Sequence, residues 1–295
     1  MERLLAHLVT LPRWFALPAA ACAIALGCIL GEVEGWLMAL VIVCGAFLMA
    51  WSHSMNTFLD YVWTGFDKGG VRERSREKSY TSGQQPIATG LMDPLEVFLN
   101  AYMWLFLAVV CAIVITLATS SVWIWLPFTL IALSTFFYSW GKLHYMCELA
   151  LGLGFGSFAV MLGMCASGNP DLILALWAGL PFAVLWGFAA ETYDQWDDAE
   201  PNWQRGLRNL GALTWKYGVS IAGMVLMLVA MSYLVQMALV IKGMIAPETL
   251  LSLFAIPMLV YGAPPAGGKE KIGVLILLMG IFAHMILFTV GQALS

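Results

Sequence analysis

Residues 93 to 118 read DPLEVFLNAYMWLFLAVVCAIVITLA, and no charged residue follows Glu96 within this run. A helix needs about 20 apolar residues to cross the hydrocarbon core of a bilayer, so the run is long enough to span it. Its start has the signals of a helix N-terminus, because Asp93 suits the N-cap, Pro94 the first helical position and Glu96 the third position of a capping box. We predict a transmembrane helix that begins at Pro94.

Similar apolar runs precede and follow this one along the whole chain. Together they make nine candidate spans, near residues 13–31, 35–58, 94–118, 121–140, 147–168, 171–193, 214–241, 248–264 and 271–293. The fold class that we predict is all-α, an integral membrane bundle of nine transmembrane helices around a central cavity with cytoplasmic cap loops. We expect one domain over residues 1–295, with kinks at Pro127 and Pro181.

The composition agrees with a membrane protein. Of the 295 residues 61% are hydrophobic and 11% are charged, whereas an ordinary soluble domain carries roughly a quarter charged residues. This balance excludes a water-soluble enzyme and a disordered chain. A net charge of −4 without an aromatic-rich basic stripe also excludes a nucleic-acid partner.

The basic residues predict the orientation of the spans, because Lys and Arg are enriched in cytoplasmic loops. With the N-terminus inside, every Lys and Arg except Lys242 falls on the cytoplasmic side. The two long connections, near residues 60–92 and 194–213, fall on the same side, whereas the outer connections are short. We expect a multi-pass protein of the plasma membrane with its N-terminus and active-site loops in the cytoplasm and its C-terminus outside.

The second run ends in a group of oxygen ligands. Residues 56–67 read NTFLDYVWTGFD. Asn56 and Asp60 lie one helical turn apart, and Asp67 returns to the same face two turns later. His53 precedes Asn56 by three residues and either lines the same site or is a packed polar residue, which is the interpretation that we favour.

The sixth run ends in a second acidic group. Residues 191–198 read ETYDQWDD, and their spacing places Glu191, Asp194 and Asp198 on one helical face. One acidic group at a helix end is equally well explained by solvation. Two groups, four spans apart and on the same side of the membrane, favour a shared site.

The chemistry of these groups points to Mg²⁺ and a large anion. Carboxylates this close repel one another unless a cation neutralises them, and oxygen ligands without His or Cys suit Mg²⁺ together with substrate phosphates. Basic residues follow each group, between Arg72 and Lys78 and at Arg205 and Arg208, and they fit such an anion. The positive-inside bias and anionic lipid headgroups are an alternative explanation for the basic residues at 68–78.

These signatures resemble the UbiA superfamily of intramembrane prenyltransferases, the menaquinone-type branch more than the ubiquinone-type. Asn56, Asp60 and Asp67 match the family's Asn-xxx-Asp signature with its following Asp, and Asp194 and Asp198 match its Asp-xxx-Asp signature.

The connecting segments also resemble this family. Residues 82–96, SGQQPIATGLMDPLE, resemble the loop before its third helix. Tyr138-Ser139 near Lys142, followed by ELALGLGFG at 148–156, resembles its fourth and fifth helices.

The resemblance implies a Mg²⁺-dependent prenyltransferase. Such an enzyme transfers a polyprenyl group from an isoprenyl diphosphate to a lipophilic acceptor, here an aromatic quinone precursor, and releases pyrophosphate. The resemblance implies one metal on Asn56, Asp60 and Asp67 and another on Asp194 and Asp198.

Further roles follow from the same resemblance. We expect Lys142, Arg72 and Lys78 to contact the diphosphate. Tyr138 faces the reacting carbon and completes the catalytic set with Asp60 and Asp194. The weaker candidates for either metal shell are Glu191 and Asp197.

Two other functions stay open at this point. A terpene cyclase of the same superfamily would ionise the same diphosphate without an acceptor. A transporter would carry charged residues deep within its spans, whereas the clear acidic groups here lie at helix ends. The sequence leaves the prenyl chain length and the oligomeric state open.

Overall fold

The computed structural model describes residues 2–65, 86–196, 199–263 and 271–295. All regular elements in these ranges are helices, which confirms the all-α class. We number them in chain order: α1 Glu2–Leu30, α2 Gly35–Val62, α3 Pro94–Thr119, α4 Trp125–Gly141, α5 Cys147–Cys165, α6 Leu172–Trp196, α7 Ala199–Gln204, α8 Leu210–Lys216, α9 Ile221–Ile241, α10 Pro247–Gly262 and α11 Lys271–Leu294.

Seven of the described helices are long and apolar enough to cross a membrane, namely α1, α2, α3, α5, α6, α9 and α11. The fourth and eighth predicted runs form shorter helices. The first of these, α4, has 17 residues. The second, α10, is a 3₁₀ segment, Pro247–Ala255, that continues as a short α-helix, Ile256–Gly262. The chain is thus a multi-pass membrane protein by the length and composition of its helices.

The predicted start of the third span is confirmed. Asp93 is the N-cap of α3, and its backbone N–H donates to Glu96 Oε2 at 2.8 Å while its side chain receives the N–H of Glu96. Two unsatisfied donors at the helix end are thereby paired within the chain.

Two predicted span boundaries are wrong. The first span begins at Glu2 instead of residue 13, and it is interrupted at Arg13, whose φ of 53° is left-handed. The seventh run, 214–241, is not one helix, because α8 ends at Lys216 and Gly218 follows with a φ of 64°. Ser220 then caps the new helix α9 by accepting the N–H of Gly223 at 3.2 Å.

One of the two predicted proline kinks is also wrong. Pro127 lies in the first turn of α4, where its missing N–H leaves no hydrogen bond unmade. Pro181 lies in the middle of α6 and precedes a π-helical segment, Ala183–Ala190, in which the helix is wider than an α-helix. This local change of geometry immediately precedes the acidic end of α6.

Glycines allow the central helices to approach closely. A Cβ on Gly163 of α5 would lie 2.0 Å from the carbonyl oxygen of Ile24 in α1, and one on Gly187 of α6 would lie 2.1 Å from Gly152 Cα in α5. Only a residue without a side chain fits at such distances, as in other small-residue contacts between membrane helices. These contacts place α5 against both α1 and α6, around the cavity described next.

Candidate active site

A cavity of about 120 Å³ lies inside the bundle. Asn56, Tyr138, Glu191 and Asp194 are in its polar wall. Its apolar wall includes Gly45, which precedes Asn56 by 11 residues on α2 and so lies about 16 Å further along that helix. A pocket with one polar end and an apolar remainder suits a ligand with a polar head and an apolar tail.

The first oxygen group joins α2 to α4. Asn56 Oδ1 accepts hydrogen bonds from Ser139 Oγ at 2.9 Å and from Lys142 Nζ at 3.4 Å. Lys142 Nζ also pairs with Asp60 Oδ2 at 2.5 Å. Since Asn56 and Asp60 contact the same ammonium group, the predicted common face of these two residues is confirmed. All four side chains are buried.

Asp60 has one oxygen that receives no hydrogen bond from the described residues. Its Oδ1 is buried and meets no hydrogen-bond donor in the described parts of the chain. A buried hydrogen-bond acceptor without a partner lowers the stability of the fold by about 1–3 kcal/mol. A ligand that interacts with this oxygen would remove that penalty, so binding there is favoured. A carboxylate oxygen among other oxygen ligands is the kind of group that Mg²⁺ prefers, and Asp60 therefore fits a metal ligand.

The second acidic group faces the same cavity. Glu191 Oε1 accepts hydrogen bonds from Tyr138 Oη at 2.7 Å and from Gln195 Nε2 at 2.8 Å, and Asp194 lies in the cavity wall. The predicted common face of Glu191 and Asp194 is therefore confirmed. Since Tyr138 and its neighbour Ser139 contact different groups, α4 connects the two clusters.

Tyr138 and Lys142 each contact one of the two oxygen groups and also contact each other. The hydroxyl of Tyr138 donates a hydrogen bond to Glu191. Lys142 Nζ lies over the ring of Tyr138, 4.5 Å from the ring centroid. The ammonium group of Lys142 therefore lies between the carboxylate of Asp60 and an aromatic face. Both contacts restrict the direction from which Lys142 can reach an anion.

The remaining predicted site residues lie outside the described residues: Asp67, Arg72, Lys78, Asp197 and Asp198. Within the described ranges, no three His, Cys, Asp or Glu side chains are grouped closely enough to hold a metal ion. The described acids of the two clusters thus form part of the predicted ligand set.

The cavity wall contains one residue that the sequence analysis missed, Arg13, and one for which it left two interpretations open, His53. Arg13 was counted only as a cytoplasmic charge, but the left-handed break in α1 brings it to the cavity. His53 also lines the cavity, and its ring packs against Phe155 with ring centroids 5.7 Å apart, so the structure agrees with both interpretations of this residue. Its position one turn before Asn56 was the available signal.

The segment after α6 is hydrogen-bonded to the residues at the end of α4. The N–H of Arg208 donates to the carbonyl of Lys142 at 2.6 Å, and the N–H of Tyr145 donates to the carbonyl of Arg208 at 3.0 Å. Glu148 is 2% exposed and accepts the N–H of Leu210 at 2.5 Å. These bonds hold the backbone of Lys142 while its side chain contacts Asp60.

Replacing Lys142 with Met is expected to destabilise the fold by about 3–5 kcal/mol, because it leaves the buried Asp60 carboxylate without its counter-ion. The measurement is thermal unfolding of the purified protein in detergent. The double variant D60N/K142M removes both charges and is expected to recover most of the loss. An unchanged melting temperature for K142M would show that the pair contributes nothing.

The long apolar helices and the cavity among them define the chain as a membrane-embedded helical bundle that contains a cavity with an acidic end. Comparison with known proteins identifies that fold more narrowly. No protein-family model and no curated protein matches the chain. Solved structures do match it.

One similar structure is that of a digeranylgeranylglyceryl phosphate synthase in membranes, with a TM-score of 0.65, 18% identity and 100% of both chains covered. A UbiA homologue from Archaeoglobus fulgidus bound to GPP and Mg²⁺ matches with a TM-score of 0.55 and 16% identity, over 95% of this chain and 98% of that one. The same homologue bound to DMAPP and Mg²⁺ gives 0.52 and 18%, with the same coverage. The chain has the fold of the UbiA homologues, which confirms the fold implied by the sequence signatures.

Proposed function

We propose that the chain is a Mg²⁺-dependent prenyltransferase of the UbiA superfamily, with residues 1–295 as one catalytic domain. The single observation that carries this proposal is that one cavity combines an apolar interior with a polar end, where Asn56 from α2 lies with Glu191 and Asp194 from α6. The similar Archaeoglobus fulgidus structures, bound to GPP or DMAPP and Mg²⁺, support the same class of substrate.

In this proposal the isoprenyl diphosphate lies with its head at the acidic end and its tail along the apolar wall. Bound Mg²⁺ would neutralise the charge that develops on the leaving pyrophosphate. Asp60 would bind through its unpartnered Oδ1, while Lys142 fixes the other oxygen. The apolar wall would exclude water from the allylic carbon after its bond to oxygen breaks.

The full set of metal ligands that we propose is Asn56, Asp60 and Asp67 for one ion and Asp194 and Asp198 for the other, with Glu191 and Asp197 as further candidates. Asn56 Oδ1 already accepts two hydrogen bonds, so metal binding there would have to share or displace a donor. Arg72, Lys78 and Lys142 are proposed to contact the diphosphate. Tyr138 lines the cavity and is proposed to face the reacting carbon.

The proposed acceptor is lipophilic and aromatic, a quinone precursor as in the menaquinone-type branch. Aromatic side chains in the cavity wall, Tyr138, Phe155 and Trp186, support it, since ring faces stack well on an aromatic acceptor. The similar digeranylgeranylglyceryl phosphate synthase makes a glycerol-phosphate acceptor the natural competitor in a test.

The proposed location is the plasma membrane, with nine spans, the acidic end of the cavity toward the cytoplasm and the C-terminus outside. The distribution of Lys and Arg supports this orientation. Cysteine labelling at the two termini in intact and opened cells would test it.

The test of the reaction is incubation of the purified protein with prenyl diphosphates of several lengths and a panel of phenolic, naphthoic and glycerol-phosphate acceptors. We expect Mg²⁺-dependent pyrophosphate release together with a prenylated aromatic product, and loss of both on chelation by EDTA. A cyclic hydrocarbon or alcohol formed without any acceptor would instead identify a terpene cyclase. Ion flux in liposomes without pyrophosphate release would identify a transporter.

A further inference from the structure

Gln195, at the end of α6, connects the second acidic group to the segment that follows it. Its Nε2 donates to Glu191 Oε1 at 2.8 Å. Its Oε1 accepts hydrogen bonds from Asn202 Nδ2 and from Asn209 Nδ2, each at 3.2 Å. No role was assigned to this side chain by the sequence signatures or by the cavity.

These bonds fix the orientation of the Gln195 amide. An amide oxygen can accept but not donate, and both asparagine groups are donors. Two donors on the oxygen side leave only the NH₂ side for Glu191, so a flipped amide would break three bonds at once. The direction of the hydrogen bond to Glu191 is thus set from outside α6.

The two asparagines are themselves held in place. Asn209 is completely buried, and its Oδ1 accepts the N–H of Ala212 at 2.7 Å as the cap of α8. Asn202 is 1% exposed, and its backbone carbonyl accepts the N–H of Leu207 at 2.9 Å. Gln195 is therefore oriented by side chains that have little freedom to move.

The consequence falls on the carboxylate of Glu191. Both of its described hydrogen bonds, from Tyr138 and from Gln195, end on Oε1. This leaves Oε2 without a donor from the described residues, in a side chain that lines the cavity. Asp60 shows the same division, with one oxygen held by Lys142 and the other without a partner.

We propose that Gln195 is a positioning residue that aims the Glu191 carboxylate so that its second oxygen serves the cation and diphosphate end of the cavity. The proposal rests on the function proposed above and adds a residue that acts only through another. It also gives Asn202 and Asn209 a role, which is to hold the side chain of Gln195 in place.

The test is a double-mutant cycle on cation binding. Gln195→Met has nearly the same shape but can neither donate nor accept these hydrogen bonds. Binding of Mn²⁺ in the presence of inorganic pyrophosphate, followed by the EPR signal of the free ion, is measured for the parent chain, Q195M, E191Q and the double variant. Gln204→Met, on the exposed side of α7, is the matched control.

We expect Q195M to weaken Mn²⁺ binding about tenfold in the parent chain, as for other residues that orient metal ligands, and to have no further effect in the E191Q background. Equal losses in both backgrounds, or a loss no larger than that of Q204M, would overturn the proposal. If Q195M does not fold, Gln195→Ala, which is neutral and also lacks both hydrogen-bonding groups, goes through the same cycle and is judged in the same way.

The parent chain separates this proposal from the proposed function. If it binds no Mn²⁺ with pyrophosphate, the prenyltransferase proposal fails. If it binds and Q195M binds equally well, only the role of Gln195 is lost.

Discussion

Asp60→Asn is expected to lower Mg²⁺-dependent prenyl transfer by roughly a hundredfold or more, because it removes a charge that holds the cation opposite the leaving pyrophosphate. The buried Oδ1 of Asp60 has no partner in the described residues, so the carboxylate is placed to serve a ligand as well as Lys142. The measurement is kcat and its dependence on Mg²⁺ concentration, with any prenyl diphosphate that the parent chain uses.

Two variants control this experiment. Asp171→Asn makes the same chemical change at the N-cap of the first α-helical part of α6, where asparagine caps equally well, and it is expected to leave turnover unchanged. D60N/K142M removes both buried charges, so its thermal unfolding shows whether D60N loses stability through the unpaired ammonium of Lys142. Full Mg²⁺-dependent turnover by D60N would refute the proposed site.

Gly163→Ala is expected to lower the free energy of unfolding by about 3 kcal/mol, the upper end for overpacking a tight contact. The new Cβ would lie 2.0 Å from the Ile24 carbonyl oxygen, and this is a backbone atom of α1 that moves only if the helices separate. Thermal unfolding and the size-exclusion profile in detergent are the measurements.

Gly223→Ala is the matched control for this change. Its Cβ would lie 3.6 Å from the nearest atoms, both in Ser220, which is ordinary van der Waals contact. Because alanine is the better helix former, G223A is expected to be neutral or slightly stabilising. A melting temperature of G163A equal to that of G223A would show that α1 and α5 can separate at no cost.

The sequence was sufficient for features that depend on neighbours along the chain. Apolar length located the seven long spans, and the cap signals at Asp93 located the start of α3. Helical periodicity placed Asn56 with Asp60, which share Lys142 as a partner, and Glu191 with Asp194, which both line the cavity. Each of these features is determined within a single helix.

Features that depend on distant segments could not be predicted in this way. Arg13 reaches the cavity only because the backbone at that residue adopts a left-handed conformation, which local preference disfavours for a residue other than glycine. Ser139 donates a hydrogen bond to Asn56 from a different helix. Gln195 accepts hydrogen bonds from Asn202 and Asn209, which lie in the segment after α6. No periodicity within one segment contains that information.

The pairing of Arg208 with Lys142 joins residues that are 66 positions apart in the chain. During synthesis the N-terminal spans are made first. Helices α2 and α4 can therefore pack together before the ribosome has made the segment that hydrogen-bonds to the end of α4. The growing chain therefore passes through a stage in which the first acidic group is formed and the second is missing. The bonds from this segment to Lys142 and Gln195 form only after the ribosome has synthesised residues 208 and 209, so they are a late event in the biogenesis of the protein.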